Sequence, residues 1–279
     1  MRNFALDDSL RRWLEEDIGT GDLTSQALIP EDAATTGLIH SKDTGILCGV
    51  EVARRVFQLL DPSLAFTALA KDGDPLSYGT KIAEIRGSAR SVLTGERLAL
   101  NLLQHLSGVA TQTRQLADLA RPYGTRVVDT RKTTPGLRQL EKYAVRVGGG
   151  HNHRLGLYDA ILIKDNHIAV AGGVKEALAR AKAYASHMTK IEIEVESLEQ
   201  AREAVAGGAD VIMLDNMAPE AMKECVAMIA HRAVVEASGG INAANLQAAA
   251  AAGVDVISVG ALTHSVQAVD ISLDVGKIK

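Results

Sequence analysis

Three cations and two carboxylates of this sequence stand where short apolar runs stop, and a fourth cation lies in a glycine-rich loop. Arg131 and Lys132 follow Val127-Val128, Lys164 follows Ile161-Leu162-Ile163, Glu194 lies near the end of IEIEV, Asp215 closes VIMLD, and Arg154 sits in Gly148-Gly149-Gly150-His151-Asn152-His153-Arg154. Arginine forks suit carboxylates, whereas lysines suit phosphates as point charges. Glu194 and Asp215 offer hard oxygens for a divalent metal or for sugar hydroxyls, and magnesium is the ion that such ligands share with substrate phosphates. Ser238-Gly239-Gly240 and Gly260 each follow an apolar run and precede a helical pattern, so their bare backbone N–H groups form a phosphate cradle at helix N-termini.

Charge supports the same chemistry. From Arg126 to Lys164 there are eight Lys or Arg against Asp129, Glu141 and Asp159, a local net of +5 in a chain whose net charge is −4. Lys142 and Arg146, four apart beside Glu141, read as a solvated basic helix face. Arg131, Lys132, Arg154 and Lys164 do not. His151 and His153 lie near neither cysteine nor an HExxH pattern, which makes them hydrogen-bond donors to an anion rather than metal ligands. Together these parts describe a site for one substrate with several carboxylates and another carrying phosphates and a magnesium-bound pyrophosphate, as phosphoribosyl transfer requires.

The elements that must position these residues form a regular series after Gly124. Apolar runs end near Asp129, Ile163, Val195, Leu214, Ala237 and Val259, each followed by Gly or polar residues and then by a helical pattern such as Val174, Ala177, Leu178, Ala181, Ala185 or Leu246, Ala249, Ala250. Six βα units predict an α/β architecture, a modified, incomplete, six-stranded barrel in preference to an open doubly wound sheet. In IEIEV the alternation turns Ile191, Ile193 and Val195 to the helices and Glu192 and Glu194 into the barrel. The first hundred residues mix types: a helix with Leu6, Leu10, Trp13 and Leu14 capped by Asp7 or Asp8, and strands at Thr36 to His40 and Leu64 to Leu69. Gly19-Thr20-Gly21-Asp22 reads as a turn. A helix runs from Arg90 to about Arg121, broken at Ser107-Gly108, and marks the domain junction. The expected division is an N-terminal α/β sandwich over residues 1–106, with 266–279 packing back on it, and a barrel over 107–265.

Composition sets the class. The chain has 279 residues, 47% hydrophobic and 23% charged, long enough for a large core and too apolar for disorder. Aromatics at 3% and 30 Lys+Arg against 34 Asp+Glu exclude a stacking platform or a basic footprint for nucleic acid. Cys48 and Cys225 form no pattern, so neither a disulfide framework nor a zinc site is expected. The charged N-terminal stretch and the absence of long apolar runs predict a soluble cytoplasmic protein without membrane contact.

The segment DTRKTTPGLRQLEKYAVRVGGGHNHRLGLYDAILIKDNHI closely resembles the signature of the quinolinate phosphoribosyltransferase (nicotinate-nucleotide pyrophosphorylase, carboxylating) family. EDIGTGDLTS, TGERLALNLLQHLSGVAT, IEVESLEQA, VIMLDN, VEASGGI and ISVGALTHS extend the resemblance over nearly the whole chain. It implies an N-terminal α/β sandwich and a modified barrel, assembled as a homodimer with active sites at the subunit interface. Arg131, His153 and Arg154 would then hold the pyridine dicarboxylate, with Arg97 arriving from the partner subunit. Thr130 belongs to the same substrate-binding run. Lys132, Lys164, Glu194 and Asp215 would serve phosphoribosyl pyrophosphate and its Mg2+, the carboxylates directly or through water, and Ser238, Gly239, Gly240 and Gly260 its 5′-phosphate. Competing readings are a related molybdenum-transport-associated protein of the same fold, a Schiff-base lyase using Lys164, and a phosphate-binding barrel without turnover.

Overall fold

The structure is a computed structural model that describes residues 4–276. The chain divides into two compact units, Met1–Thr111 with Val266–Lys279, and Gln112–Ser265.

The first unit contains α1 (Phe4–Ile18), α2 (Leu23–Leu28), β1 (Ala34–Ser41), β2 (Gly45–Ile46), α3 (Val50–Leu60), β3 (Ala65–Ala68), β4 (Pro75–Leu76), β5 (Lys81–Ser88) and the start of the long α4 (Ala89–Ala120). Strands β1, β5 and β3 join a last strand at Ile271–Val275 in an antiparallel sheet, so the chain's end returns to its beginning. Helix α3 buries Val52, Ala53, Val56 and Phe57 on one face, the spacing of an amphipathic helix. In α1 the apolar stripe buries Leu10 and Leu14. Asp7 and Asp8 lie inside that helix rather than capping it; Asp7 accepts from Arg55 Nε and Nη2 at 2.8 and 2.6 Å, and this tie between helices explains its place in the first turn. The Gly19 to Asp22 segment is a turn, and Asp22 caps α2 by accepting from the Ser25 N–H at 3.0 Å.

Helix α4 has no break at Ser107-Gly108. Its 32 residues run unbroken, and the boundary between the units falls within it. Both residues serve packing: the Ser107 hydroxyl accepts from the Cys48 N–H at 3.0 Å, and a Cβ on Gly108 would lie 2.3 Å from the Gln267 carbonyl oxygen. Glycine is present because a backbone crosses there, and close packing offsets its low helix propensity. Among the described residues no helix is long and apolar enough to cross a membrane.

The second unit carries β6 (Arg126–Val128), α5 (Arg138–Val147), β7 (Ile161–Ile163), α6 (Asp165–Ala171), α7 (Val174–Tyr184), β8 (Ile191–Val195), α8 (Leu198–Ala206), β9 (Val211–Asp215), α9 (Pro219–Ile229), β10 (Val234–Ser238), α10 (Leu246–Ala251), β11 (Val256–Ser258) and α11 (Ala261–His264); the last strand of the chain, in the first unit, is β12. The order of this sheet is β6-β11-β10-β9-β8-β7, with every pairing parallel. That is the cyclic order of a barrel opened between β6 and β7. Because β7 to β11 follow one another through helical crossovers, the helices cover one face and the sheet curls to bury the other. At the open seam His151 takes up the free edge of β6: its N–H donates to Val127 O at 2.8 Å, and its carbonyl accepts from Asp129 N at 3.2 Å.

Replacing Gly108 by Ala should destabilise the protein by about 1–3 kcal/mol through overpacking against residue 267, although alanine is the better helix former. Urea denaturation checks this; an unchanged or raised midpoint refutes the packing explanation.

Candidate active site

The carboxyl end of β6 is built on a buried ion pair. Asp129 and Lys142 are 0% and 1% exposed at the side chain, and the Lys142 ammonium donates to Asp129 Oδ1. The same carboxylate accepts from the His153 N–H at 2.9 Å and from Asn152 Nδ2 at 2.5 Å, while Lys142 also donates to the His153 carbonyl at 3.0 Å. Burial pushes the Asp129 carboxyl above its ordinary range, against the pull of Lys142, Asn152 and the His153 N–H. Lys142 is therefore no solvated surface residue. Its spacing from Arg146 and Glu141 fits an exposed helix face, but α5 turns Lys142 inward to meet an acid thirteen residues earlier, and Arg146 instead donates to Asn152 Oδ1 at 2.9 Å. Glu141 is buried as well and accepts from the Thr134 N–H at 3.0 Å.

This scaffold fixes the loop that presents His153 and Arg154. The Arg154 N–H donates to His153 Nδ1 at 2.8 Å, which leaves the proton of a neutral ring on Nε2. Nε2 faces Glu192 Oε2 at 3.0 Å and Glu236 Oε1 at 3.7 Å. Burial pulls the imidazole down, and the hydrogen bond and charge of Glu192 together with Glu236 outweigh it and raise its pKa. Glu236 is pushed up to about 7 by burial and by Glu192. Glu236 carried no signal in the sequence beyond an acid in the apolar run VVEAS; the even spacing of Glu236 and Ser238 along the strand is the one cue that turns both to the same face.

Arg131 and Arg154 lie within reach of each other's charge beyond the end of β6. Burial and then the charge of Arg131 push the Arg154 guanidinium down, while Glu192, Asp159 and Glu194 oppose them. Arg154 Nη1 donates to the Ala160 carbonyl at 3.1 Å. Arg131 Nε is buried with no hydrogen-bond partner among the described residues. Two partly desolvated guanidinium groups that feel each other's charge suit an anionic ligand.

On the next strands, the Lys164 ammonium donates to Glu194 Oε1, and Asp215 accepts from Asn216 Nδ2 at 2.8 Å. Burial raises the Glu194 carboxyl, Lys164 pulls it back, and Asp215 and Asp165 raise it further. Glu194 and Asp215 thus feel each other's charge and are the hard oxygen donors that could hold a divalent ion. The three-residue group of metal-type ligands among the described residues is a different one, His153, Glu192 and Glu236.

Around the rim, Thr130 Oγ1 accepts from the Lys132 N–H at 3.0 Å, and Thr263 Oγ1 donates to the Lys132 carbonyl at 2.8 Å. A Cβ on Gly260 would lie 3.0 Å from Lys132 Cδ, and one on Gly239 would lie 2.2 Å from Asn216 Oδ1. Bare backbone is needed at Gly239, where φ is +91° and the Asn216 backbone also lies close, while at Gly260 the nearest contact is with the flexible Lys132 side chain. Gly260 caps the short α11 directly, whereas α10 starts only at Leu246, so Ser238-Gly239-Gly240 forms a turn ahead of the helix rather than its first residues. Arg97 belongs to the first unit, exposed on α4.

Both parts of the chain match known family models. Residues 22–107 match the N-terminal domain and residues 109–274 the C-terminal domain of quinolinate phosphoribosyl transferase. A probable nicotinate-nucleotide pyrophosphorylase (carboxylating) of Bacillus subtilis is 48% identical, with 99% of this chain and 95% of that protein covered. One of the same name from Methanocaldococcus jannaschii is 45% identical over 99% and 98%. The crystal structure of NadC from Streptococcus pyogenes superposes with a TM-score of 0.96 at 44% identity, covering 100% of this chain and 99% of that one.

Lys142→Met, which leaves Asp129 buried without its cation, should cost about 3–5 kcal/mol, and the double variant Asp129→Asn/Lys142→Met should recover more than half of that loss. Chemical denaturation of the three variants measures both quantities.

Proposed function

The chain belongs to the quinolinate phosphoribosyltransferase family, and we propose on that premise that it transfers phosphoribosyl from phosphoribosyl pyrophosphate to quinolinate with decarboxylation. The products are nicotinate mononucleotide, pyrophosphate and CO2, a step of NAD biosynthesis. The observation that carries this reading is the Arg131 and Arg154 pair, two guanidinium groups that feel each other's charge, one with a buried N–H that has no partner among the described residues. A planar dicarboxylate answers both. Arg131 and Arg154 form the quinolinate side of the site, with His153 behind Arg154, its Nδ1 accepting from the Arg154 N–H and its Nε2 turned to Glu192.

Lys132, Lys164, Glu194 and Asp215 form the phosphoribosyl side, with Thr130 fixing the Lys132 backbone and Ser238, Gly239, Gly240 and Gly260 receiving the 5′-phosphate. Glu194 and Asp215 are the residues that would hold Mg2+, which when bound supplies positive charge to the pyrophosphate. As pyrophosphate leaves the anomeric carbon, Lys132 and Lys164 offset the negative charge it gathers, and the pyridine nitrogen attacks the oxocarbenium-like centre. Arg131 and Arg154 hold the ring so that this nitrogen faces the sugar. The ring nitrogen becomes cationic, so loss of the adjacent carboxylate as CO2 leaves a carbanion that the charge stabilises until it is protonated.

A Schiff-base role for Lys164 finds no support: its side chain is 44% exposed and its amine donates to Glu194, so it lacks the desolvated apolar pocket that activates a nucleophilic lysine. We further infer a homodimer in which Arg97 of one subunit completes the site of the other, on the strength of its exposure on α4 and of the family resemblance.

Incubation with quinolinate, phosphoribosyl pyrophosphate and magnesium should yield nicotinate mononucleotide and CO2. Nicotinate, which leaves an arginine unpaired at a cost of roughly 2–5 kcal/mol, should not react. Arg131→Lys should raise the KM for quinolinate far more than that for phosphoribosyl pyrophosphate, because it keeps charge but loses the planar fork. Comparable turnover of nicotinate refutes the assignment. For the shared site, Arg97→Ala and Lys132→Ala should each be nearly inactive, and their equal mixture should regain roughly a quarter of wild-type activity after subunit exchange. No recovery, with exchange verified by mass spectrometry, places Arg97 outside the neighbour's site.

A further inference from the structure

The interior of a parallel barrel is ordinarily filled by apolar side chains. This one buries two acids, Glu192 on β8 and Glu236 on β10, at 6% and 3% exposure. Each has an Oε1 without a hydrogen-bond partner among the described residues, so neither carboxyl is retained for the stability of the core. What both approach is one atom, Nε2 of His153, at 3.0 Å from Glu192 and 3.7 Å from Glu236. The backbone of His153 is already held, its N–H by Asp129 and its carbonyl by Lys142. The ring is the part left to fix. Its two-fold flip would exchange Nδ1 for a C–H and remove the acceptor of the Arg154 N–H.

We propose that Glu192, backed by Glu236, is a positioning residue for the quinolinate side of the site: it locks the His153 ring, and the ring locks the Arg154 backbone and so the guanidinium that holds the dicarboxylate. The chain of contacts runs Glu192 Oε2 to His153 Nε2, then His153 Nδ1 to Arg154 N, and both nitrogens of the ring are occupied by the protein. His153 thereby works as a strut. The inference rests on the assignment of Arg154 to quinolinate and extends the site into the barrel's interior.

Three variants test it. Glu192→Leu removes the acceptor, Glu192→Asp keeps the charge but withdraws it by one methylene, and Glu192→Gln keeps an amide oxygen that still accepts from Nε2–H. The KM for quinolinate should rise at least about tenfold in Glu192→Leu and several-fold in Glu192→Asp, and return to within about threefold of wild type in Glu192→Gln. The KM for phosphoribosyl pyrophosphate should stay within about twofold throughout. In 15N spectra of histidine-labelled protein the His153 pattern should persist in Glu192→Gln and change in Glu192→Leu and Glu192→Asp. Because Glu192→Asp retains a buried acid, it decides the question even where Glu192→Leu does not fold.

Equal elevation of both KM values, or a quinolinate KM and His153 signals unaltered in every folded variant, overturns the proposal. So does a stoichiometric metal ion retained by the wild type and lost from the variants, which would make the cluster a cation site. The spectra decide the strut independently of turnover. If the wild type makes no nicotinate mononucleotide from quinolinate, the functional reading fails while the tie between Glu192 and His153 is still measured.

Discussion

The candidate site depends on the burial of Asp129 against Lys142. A carboxylate and an ammonium removed from water lose several kcal/mol of solvation each, and their attraction repays this only when the remaining lone pairs and protons are satisfied. Here Asn152, the His153 N–H and the His153 carbonyl supply those partners. The cost of disturbing any one of them is what makes the 151–154 loop definite. A loop rich in glycine, Gly148-Gly149-Gly150, would otherwise have wide conformational freedom. It is held at its start by the His151 pairing with β6 and along its length by Asp129.

With that loop fixed, charge on the rim falls into two fields. Beyond the end of β6, Arg131 and Arg154 form a cationic edge in which Arg131 Nε has no hydrogen-bond partner among the described residues. On β8 and β9, Glu194 and Asp215 form an acidic edge with Lys164 between them and the cations. On the function proposed above, one edge would take the dicarboxylate and the other the polyphosphate, so that the acceptor ring would face the leaving group.

The seam itself has a physical cause. Strands β6 and β7 are three residues each, and more than thirty residues separate them, including α5 and the 151–154 loop. The intervening segment returns to the sheet at His151, which occupies the edge of β6 that β7 would otherwise pair with.

Period and punctuation in the sequence determined the series of six βα units, the inward turn of Glu192 and Glu194, and the collection of Arg131, Lys132, Lys164, Glu194 and Asp215 at strand ends, because these follow from local rules that neighbouring residues obey. The resemblance of its motifs to the quinolinate phosphoribosyltransferase family supplied the substrates. The tertiary structure alone decided that Lys142 is buried, that Gly108 continues a helix instead of ending it, that Asp7 ties two helices instead of capping one, and that Glu236 joins Glu192 at His153. Each of these turns on a partner distant in sequence: Asp129, Gln267, Arg55 and the ring of His153. Local periodicity states which face of an element a residue occupies. What waits on the other side of that face, solvent or an opposite charge, is fixed only when the elements pack.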